Sequence, residues 1–322
     1  MIHFLRLIRT FNLLIIVATM YGLGWYFDEL FVRSGYQSVL LSSSFFLLVF
    51  STVLIAAAGN IINDYFDVKA DRINRPKTIV IGKHIKRRWG IVLHWLINLI
   101  AFTIAAYLSY LFETFWYLFI HLLSINLLVF YSMQLKRTAV MGNVTIAVLT
   151  AFVPILVGIY YNQHLDGDTL TTYYPFRLSS VEQYPIYISI GMALFAFFLN
   201  WAREITKDIE DIPGDKILNA KTLPLTLGIR KSKRIVLILL VTPIFFTSFL
   251  IYAYHNENIL TLLAFIPILV AAIVLIIALF LGVKANIPSQ FKTFHLLIKF
   301  IMIIGLTLPV FWVILLRLHG VS

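Results

Sequence analysis

Residues 39–62 read VLLSSSFFLLVFSTVLIAAAGNII, and residues 63–71, which follow directly, read NDYFDVKAD. The first segment stays apolar for longer than the ~18 residues that a helix needs to cross a bilayer. The second is polar and carries three aspartates. A membrane helix that ends in a cluster of carboxylates therefore indicates both the fold class and the position of a candidate site.

The composition extends this pattern to the whole chain of 322 residues. Apolar residues make up 60%, charged residues 13%, and the mean hydropathy is +0.89, whereas a soluble domain has about 25% charged residues. A water-soluble globule is therefore excluded, and a β-barrel porin is excluded because its strands alternate polar and apolar residues. The sequence has no cysteine, which excludes disulfides, iron–sulfur clusters and cysteine nucleophiles.

Apolar windows predict an all-α, polytopic membrane bundle of nine transmembrane helices, in a single integral-membrane domain that covers residues 1–322. The N-terminal run is predicted as an uncleaved first span. A weak repeat, which would relate helices one to four to helices five to eight, rests only on the placement of acidic clusters. The nine predicted helices cover 8–27, 39–62, 89–111, 114–133, 140–160, 185–205, 235–254, 259–283 and 296–316.

Basic residues indicate which side of the membrane is the inside. If the N-terminus is cytoplasmic, the inner segments are the N-terminal tail, 63–88, 134–139, 206–234 together with Arg203, and 284–295. In this order they hold 2, 8, 2, 8 and 2 basic residues, which is 22 of the 26 in the chain. By the positive-inside rule this predicts an integral protein of the cell inner or plasma membrane, with the candidate site at the cytoplasmic face. The same placement accounts for most of the net charge of +11, so no nucleic-acid partner is expected.

Eight of the 15 acidic residues fall in two short stretches at the predicted inner ends of helices two and six. In the first stretch, offsets of three and four residues bring the polar side chains onto one broad helical face. In the second, the same kind of spacing, 4, 3 and 4, relates Glu204, Asp208, Asp211 and Asp215. Pro213 and Gly214 are expected to end or bend the second helix before Asp215. The first stretch holds Asn60, Asn63, Asp64, Asp67 and Asp71, and the second holds Glu204, Asp208, Glu210, Asp211 and Asp215.

The two acidic stretches predict a magnesium site. Carboxylates placed so close together repel one another, and desolvation at the membrane boundary strengthens the repulsion. Oxygen ligands without His or Cys at metal spacing favour Mg²⁺, which usually shares its coordination shell with substrate phosphates. Two acidic walls that face each other therefore indicate bridging ions that hold a diphosphate. For a single stretch, solvated helix ends with ion pairs would be an equally good interpretation.

Basic residues beside the acidic stretches are candidates for binding the diphosphate. Lys136 and Arg137 stand in a loop of only a few residues between predicted helices four and five, directly against the membrane, and are predicted to contact diphosphate oxygens. Arg72 follows the first acidic stretch and Arg203 precedes the second, so both are further candidates. Most other basic residues nearby are explained by the positive-inside rule or by contact with anionic lipid at the membrane surface.

Three motifs follow one another along the chain. They are Asn63-Asp64-xx-Asp67-xxx-Asp71 with Arg72-xx-Arg75-Pro76, then Tyr131-Ser132-xx-Leu135-Lys136-Arg137 with Gly142-Asn143, then Arg203-Glu204-xxx-Asp208-xx-Asp211-xxx-Asp215. In this order they resemble the UbiA superfamily of intramembrane prenyltransferases over nearly the whole chain. The stretches 207–216 and 221–228 are most similar to its digeranylgeranylglyceryl phosphate synthase branch. After Arg75-Pro76 the sequence lacks the second Arg-Pro pair that is usual in the family, and this departure concerns the choice of acceptor.

The resemblance implies a helical bundle around a central cavity, Mg²⁺ as cofactor, and an isoprenyl diphosphate, in particular geranylgeranyl diphosphate, as donor. It also implies a small lipid-like or aromatic acceptor and a chamber open to membrane lipid. The implied catalytic residues are Asp67, Asp71, Asp208, Asp211 and Asp215, the implied metal ligands are these five with Asn63 and Asp64, and the predicted cavity residues are Asn12, Asn60, Tyr131, Ser132, Asn200 and Glu204.

The acceptor and the class of protein have alternatives at this stage. Geranylgeranylglyceryl phosphate is the predicted acceptor, and its phosphate would need further cations, for which Arg9 and Lys77 are candidates. The alternatives are an aromatic or quinone precursor, such as 4-hydroxybenzoate or dihydroxynaphthoate, and a chlorophyll-type acceptor. A transporter is disfavoured because it would place charges near the middle of the membrane, whereas the acids here cluster at one face.

Overall fold

The structure, a computed structural model, describes residues 2–74, 79–165, 184–217, 219–253, 263–285 and 288–319. Within these ranges the chain forms eleven α-helices and one 3₁₀ turn, Leu135–Arg137, and no strand. The helices are α1 Ile2–Leu7, α2 Thr10–Arg33, α3 Ser43–Asn74, α4 Arg87–Leu111, α5 Trp116–Met133, α6 Met141–Asn162, α7 Tyr184–Glu210, α8 Ile212–Ile217, α9 Leu223–Ala253, α10 Ile266–Lys284 and α11 Pro288–His319.

Nine helices in the described ranges, α2 to α7 and α9 to α11, are long and apolar enough to cross a membrane. The predicted all-α membrane bundle of nine spans is therefore confirmed. The predicted ends differ where charges begin: the span predicted at 39–62 continues to Asn74, and the one predicted at 235–254 begins at Leu223, with a break at Gly228. Apolar windows stop at the first charged residues, but a helix keeps its backbone hydrogen bonds beyond the membrane surface.

An aromatic core fills the end of the bundle away from the acidic stretches. The Tyr26 and Tyr184 hydroxyls are 2.7 Å apart, which joins α2 to α7. The Phe27 and Tyr161 rings pack with centroids 5.4 Å apart, and the Trp312 indole N–H donates to the Ala264 carbonyl at 3.0 Å. Buried aromatic rings contribute large apolar area and fixed geometry, so this end of the bundle is densely packed.

The predicted central cavity is present and has a volume of about 480 Å³. Side chains from six of the membrane-spanning helices, α2, α3, α5, α6, α7 and α11, line it. The cavity lies between the aromatic core and the acidic stretches, because α2 and α7 contribute the halves of their length that are remote from Tyr26 and Tyr184. The bundle therefore holds a chamber that is closed by rings at one end and bordered by charge at the other.

Helices α6 and α7 approach each other closely at Gly158. A Cβ atom at this position would lie 2.6 Å from the Ser189 hydroxyl oxygen and 2.9 Å from the Pro185 carbonyl oxygen. Small residues at such crossings let two helix backbones pack against each other within a membrane. This crossing holds the two helices that form one side of the cavity.

We expect Gly158→Ala to destabilise the protein by about 1–3 kcal/mol, as overpacking of a close interface does. Thermal unfolding in detergent measures the effect as a lowered melting temperature. Gly191→Ala is the matched control, because Gly191 is a glycine within helix α7 and a Cβ there would meet no atom within 4 Å. Equal melting temperatures for the two variants would contradict the interpretation.

Candidate active site

The first acidic stretch faces a lysine from the turn between α5 and α6. The Lys136 ammonium donates a hydrogen bond to the Asp67 carboxylate and lies 3.4 Å from the Asn63 side-chain oxygen. Burial disfavours the charged ammonium, but the adjacent Asp67 carboxylate outweighs this effect and raises the pKa of Lys136 above its ordinary value. The lysine is therefore charged at neutral pH and links the turn to α3.

The second acidic stretch is divided between two helices, because α7 ends within it and α8 begins after a one-residue turn. Asp208, near the end of α7, accepts a hydrogen bond of 2.9 Å from the Asn143 side-chain amide of α6. Helix α7 ends at Glu210, so the helix breaks before Asp215 as expected, but the break lies at Asp211, and Pro213 and Gly214 belong to the following helix α8. Burial and repulsion from Asp211 raise the pKa of Asp215 to about 6. This carboxylate group therefore favours the arrival of positive charge.

The two acidic stretches come together around Lys136 and Tyr131. Helix α8 packs against α3, and the charge of Lys136 acts on Asp67 and Asp71 of the first stretch as well as on Asp215 of the second. The buried Tyr131 hydroxyl lies in the field of carboxylates from both stretches. Residues that are more than a hundred positions apart in the sequence thus share one electrostatic environment.

The donor atoms fit a magnesium ion that is shared with a phosphate ligand. Within the described ranges, no three His, Asp or Glu side chains converge closely enough to enclose an ion by themselves. Mg²⁺ does not require such a cage, since it usually binds one or two carboxylates and completes its shell with water and substrate phosphates. The Lys136 ammonium beside the Asn63 and Asp67 oxygens demonstrates that this position stabilises positive charge.

Several predicted site residues have other surroundings. Asp64 accepts a hydrogen bond of 2.8 Å from the Arg9 guanidinium, which ties α3 to the beginning of α2. The Arg72 and Arg137 side chains are exposed, and the Arg137 carbonyl accepts the Lys221 backbone N–H at 2.8 Å. Ser132 is buried beside Tyr131 but does not line the cavity. Their assigned roles stay predictions, and Arg75 and Lys77 lie outside the described residues.

The cavity wall includes most of the predicted cavity residues. Asn60 donates to the Ile8 carbonyl, in the turn between α1 and α2, at 2.9 Å. Asn200 donates to the Thr150 hydroxyl of α6 at 2.5 Å, so both amides are fixed by neighbouring segments. Polar residues that the sequence analysis did not place in the cavity also line it. The predicted members are Asn12, Asn60, Tyr131, Asn200 and Glu204, and the additional ones include Asn63, His121, Lys207, His295 and Lys299.

A second cavity of about 180 Å³ lies next to the first one in the bundle. Its lining is almost entirely apolar, and Ile15, Ile16 and Met302 line both cavities. The first cavity therefore adjoins space that is suited to hydrocarbon. An amphiphilic molecule has room for a polar head near α7 and for an apolar tail between α2 and α11.

The turn that carries Lys136 packs tightly on the first residues of α6, which gives a test of the site. A Cβ at Gly142 would lie 2.5 Å from the Leu135 carbonyl oxygen, so Gly142→Ala must displace the turn. We expect inorganic diphosphate with Mg²⁺ to bind about tenfold more weakly, because a charge-assisted hydrogen bond contributes about 1.5 kcal/mol or more. Calorimetric titration measures this, with Gly191→Ala as the control. Unchanged affinity would argue against Lys136 as a diphosphate ligand.

Comparisons with known proteins agree with this geometry. The model of the UbiA prenyltransferase family matches residues 19–304. The digeranylgeranylglyceryl phosphate synthase of Methanobrevibacter smithii is 32% identical over 213 residues, which are 66% of this chain and 68% of that protein. The protein of the same name from Saccharolobus solfataricus is 35% identical over 239 residues, 69% and 71% of the two chains. The alignment with the one from Thermococcus sibiricus spans 62% of its length.

Solved structures extend the likeness along the chain. A structure that concerns digeranylgeranylglyceryl phosphate synthase in membranes is 25% identical, with a TM-score of 0.67, and the match covers 97% of this chain and 98% of that one. A UbiA homologue from Archaeoglobus fulgidus, bound to GPP and Mg²⁺, is 15% identical, with a TM-score of 0.55 over 96% and 99% of the two chains. The latter likeness concerns the fold alone. With nine apolar helices in its described ranges and a family match over most of its length, this chain belongs to the UbiA prenyltransferase family of integral membrane enzymes.

Proposed function

We propose that this enzyme uses Mg²⁺ to transfer a geranylgeranyl group from its diphosphate to geranylgeranylglyceryl phosphate. One observation carries the proposal: two acidic stretches meet around Lys136 beside a cavity that adjoins an apolar chamber. The names of the similar proteins support geranylgeranylglyceryl phosphate as the acceptor. The homologue bound to GPP and Mg²⁺ supports an isoprenyl diphosphate as the donor and Mg²⁺ as the ion.

The proposed reaction forms an ether bond. The allylic C–O bond of the donor breaks, and its electron pair leaves on the diphosphate. The hydroxyl oxygen of the acceptor supplies the pair for the new C–O bond, and its proton passes to the released diphosphate. Lys136 holds the diphosphate and stabilises the charge that develops on it. Asp67, Asp71, Asp208, Asp211 and Asp215, with Asn63, would hold Mg²⁺, which neutralises the leaving group when bound.

The cavity wall protects the allylic cation that forms at the donor. The first cavity is mainly apolar apart from its charged part, and exclusion of water prevents loss of the cation to hydrolysis. Tyr131 is buried, lines the cavity and lies within the field of both acidic stretches. Its ring is therefore placed to stabilise positive charge at the reacting carbon.

Replacement of one carboxylate from each stretch tests the function. We expect Asp67→Asn and Asp208→Asn each to lower Mg²⁺-dependent diphosphate release from geranylgeranyl diphosphate by about 10²-fold or more, as removal of a group that stabilises a transition state does. Glu113→Gln is the control, because Glu113 is an exposed carboxylate between α4 and α5. Undiminished release by either aspartate variant would refute the assigned role.

We further propose that the N-terminus and the active site are cytoplasmic, as the distribution of basic residues suggests. Because the chain lacks cysteine, a single introduced cysteine reports on one position without ambiguity. Lys83 and Glu113 are exposed at opposite ends of α4. We expect an impermeant thiol reagent to modify Lys83→Cys in inside-out vesicles and Glu113→Cys in right-side-out vesicles. The reverse pattern would overturn this orientation, and the cysteine-free chain is the control.

A further inference from the structure

The charged residues that line the first cavity are mostly cationic. Arg9 is compensated by Asp64, with which it forms an ion pair of 2.8 Å, but Asp64 is not itself part of the lining. Glu204 is the one carboxylate in the described lining. The cations of the lining are Arg9, Arg203, Lys207 and Lys299, with His295 beside them. The cavity therefore favours an anion independently of any metal bound at the acidic stretches.

Glu204 cannot compensate all of these cations. One of its oxygens bonds to the Arg203 guanidinium, and the other lies 3.9 Å from the Lys207 ammonium. A single negative charge is thus shared by two positive side chains. Neither of these contacts extends to Lys299, which is the cation of the lining that stands on α11.

Lys299 has no compensating carboxylate among the described residues. Its charged neighbour is Arg203, whose like charge repels it, and its ammonium lies 4.8 Å from the centre of the Phe11 ring. The residue belongs to the membrane-spanning part of α11. A charged side chain within a membrane span is costly and is usually kept where it pairs with something or lines a substrate path.

The position of Lys299 is fixed by the packing of α11 against α7. His295 stands one turn earlier on α11. Its Nδ1 atom lies 3.0 Å from a Glu210 carboxylate oxygen, and its Nε2 atom lies 3.5 Å from an Arg203 guanidinium nitrogen. Residues four positions apart on a helix share a face. Lys299 therefore lies on the face of α11 that is directed towards Arg203.

The surroundings of Lys299 differ from those of Lys136. The charges that act on Lys136 include Asp67 and Asp71 of the acidic stretch, whereas Lys299 is close to Arg203 and to the apolar wall. Met302, one turn after Lys299, lines both cavities. An anionic group at Lys299 would thus have hydrocarbon space directly beside it, which fits a phosphate head with an apolar tail.

We propose that Lys299, together with Arg203, binds the phosphate of the acceptor and thereby selects acceptors that are anionic amphiphiles. The inference rests on the proposed function and deepens it, since it places the acceptor head at Lys299, away from Lys136, and assigns Arg203, which the sequence suggested for the diphosphate, to the acceptor instead. The acceptor tail passes Met302 into the second cavity. Neutral acceptors gain nothing from this contact.

The test compares Lys299→Gln with the wild type, Lys299→Arg and the control Lys292→Gln, which removes an exposed lysine of the same helix. We expect Lys299→Gln to raise the KM for geranylgeranylglyceryl phosphate about tenfold or more, as loss of a charged hydrogen bond does. The KM for geranylgeranyl diphosphate should change less than twofold. Lys299→Arg should restore acceptor binding, and Lys292→Gln should behave as the wild type.

Two further measurements separate the inference from the proposed function. The first is equilibrium binding of geranylgeranylglyceryl phosphate without donor, compared with geranylgeranylglycerol, which lacks the phosphate. We expect Lys299→Gln to weaken only the phosphorylated ligand, and equal effects on both would overturn the inference. The second offers 4-hydroxybenzoate and dihydroxynaphthoate to the wild type. Transfer to these but not to the glyceryl phosphate would refute the proposed acceptor, and absence of phosphate-dependent binding would refute the role of Lys299.

Discussion

The contact between Lys136 and the Asp67 carboxylate is the constraint on which the site depends. It joins α3 to the turn between α5 and α6, and the residues after this turn begin α6, where Asn143 reaches Asp208 of α7. A charge in such partly buried surroundings is stable only with a partner, and loss of one partner leaves the other uncompensated. One ion pair and one amide hydrogen bond thus align three helices around the place where the acidic stretches meet.

The distribution of polarity along the bundle explains how charged chemistry can occur within a membrane protein. The Tyr26 and Tyr184 end is packed with rings, and the opposite end carries the carboxylates and their cations. Between the two ends lies a cavity whose wall is mainly apolar away from its charged side chains. Electrostatic interactions are stronger in such surroundings than in water. On the proposed function, a few fixed charges are therefore sufficient to hold a diphosphate and to stabilise the charge that develops on it.

The fold could be predicted from the sequence because a helix that crosses a membrane is specified locally, by length and apolar composition. The meeting of the acidic stretches was predictable in outline from their matched spacing. The direction in which individual side chains point was not predictable. Lys136 and Arg137 are adjacent in a 3₁₀ turn, where successive side chains point about 120° apart, so Lys136 meets Asp67 while the Arg137 side chain is exposed.

Residues of the last helix were missed for a different reason. In the sequence, His295 and Lys299 stand near the start of an apolar run and have the appearance of residues at a membrane boundary. Their roles depend on packing between α11 and α7, which brings Arg203 and His295 together across 92 positions of the chain. No local pattern reports on such a contact. The one sequence signal that could have pointed to it is a lysine inside a segment long enough to span the membrane.

On the proposed function, the two anion sites would differ in a way that lets one cavity accept two anionic amphiphiles without exchanging them. At the acidic stretches, carboxylates repel a phosphate, so on the proposed function a diphosphate can bind there only with a divalent ion that both sides share. At Lys299 the neighbouring charge is Arg203, so a phosphate is attracted without a metal. The two proposals together therefore distinguish the donor from the acceptor by whether binding requires Mg²⁺, and they place both tails in the apolar space beside the sites.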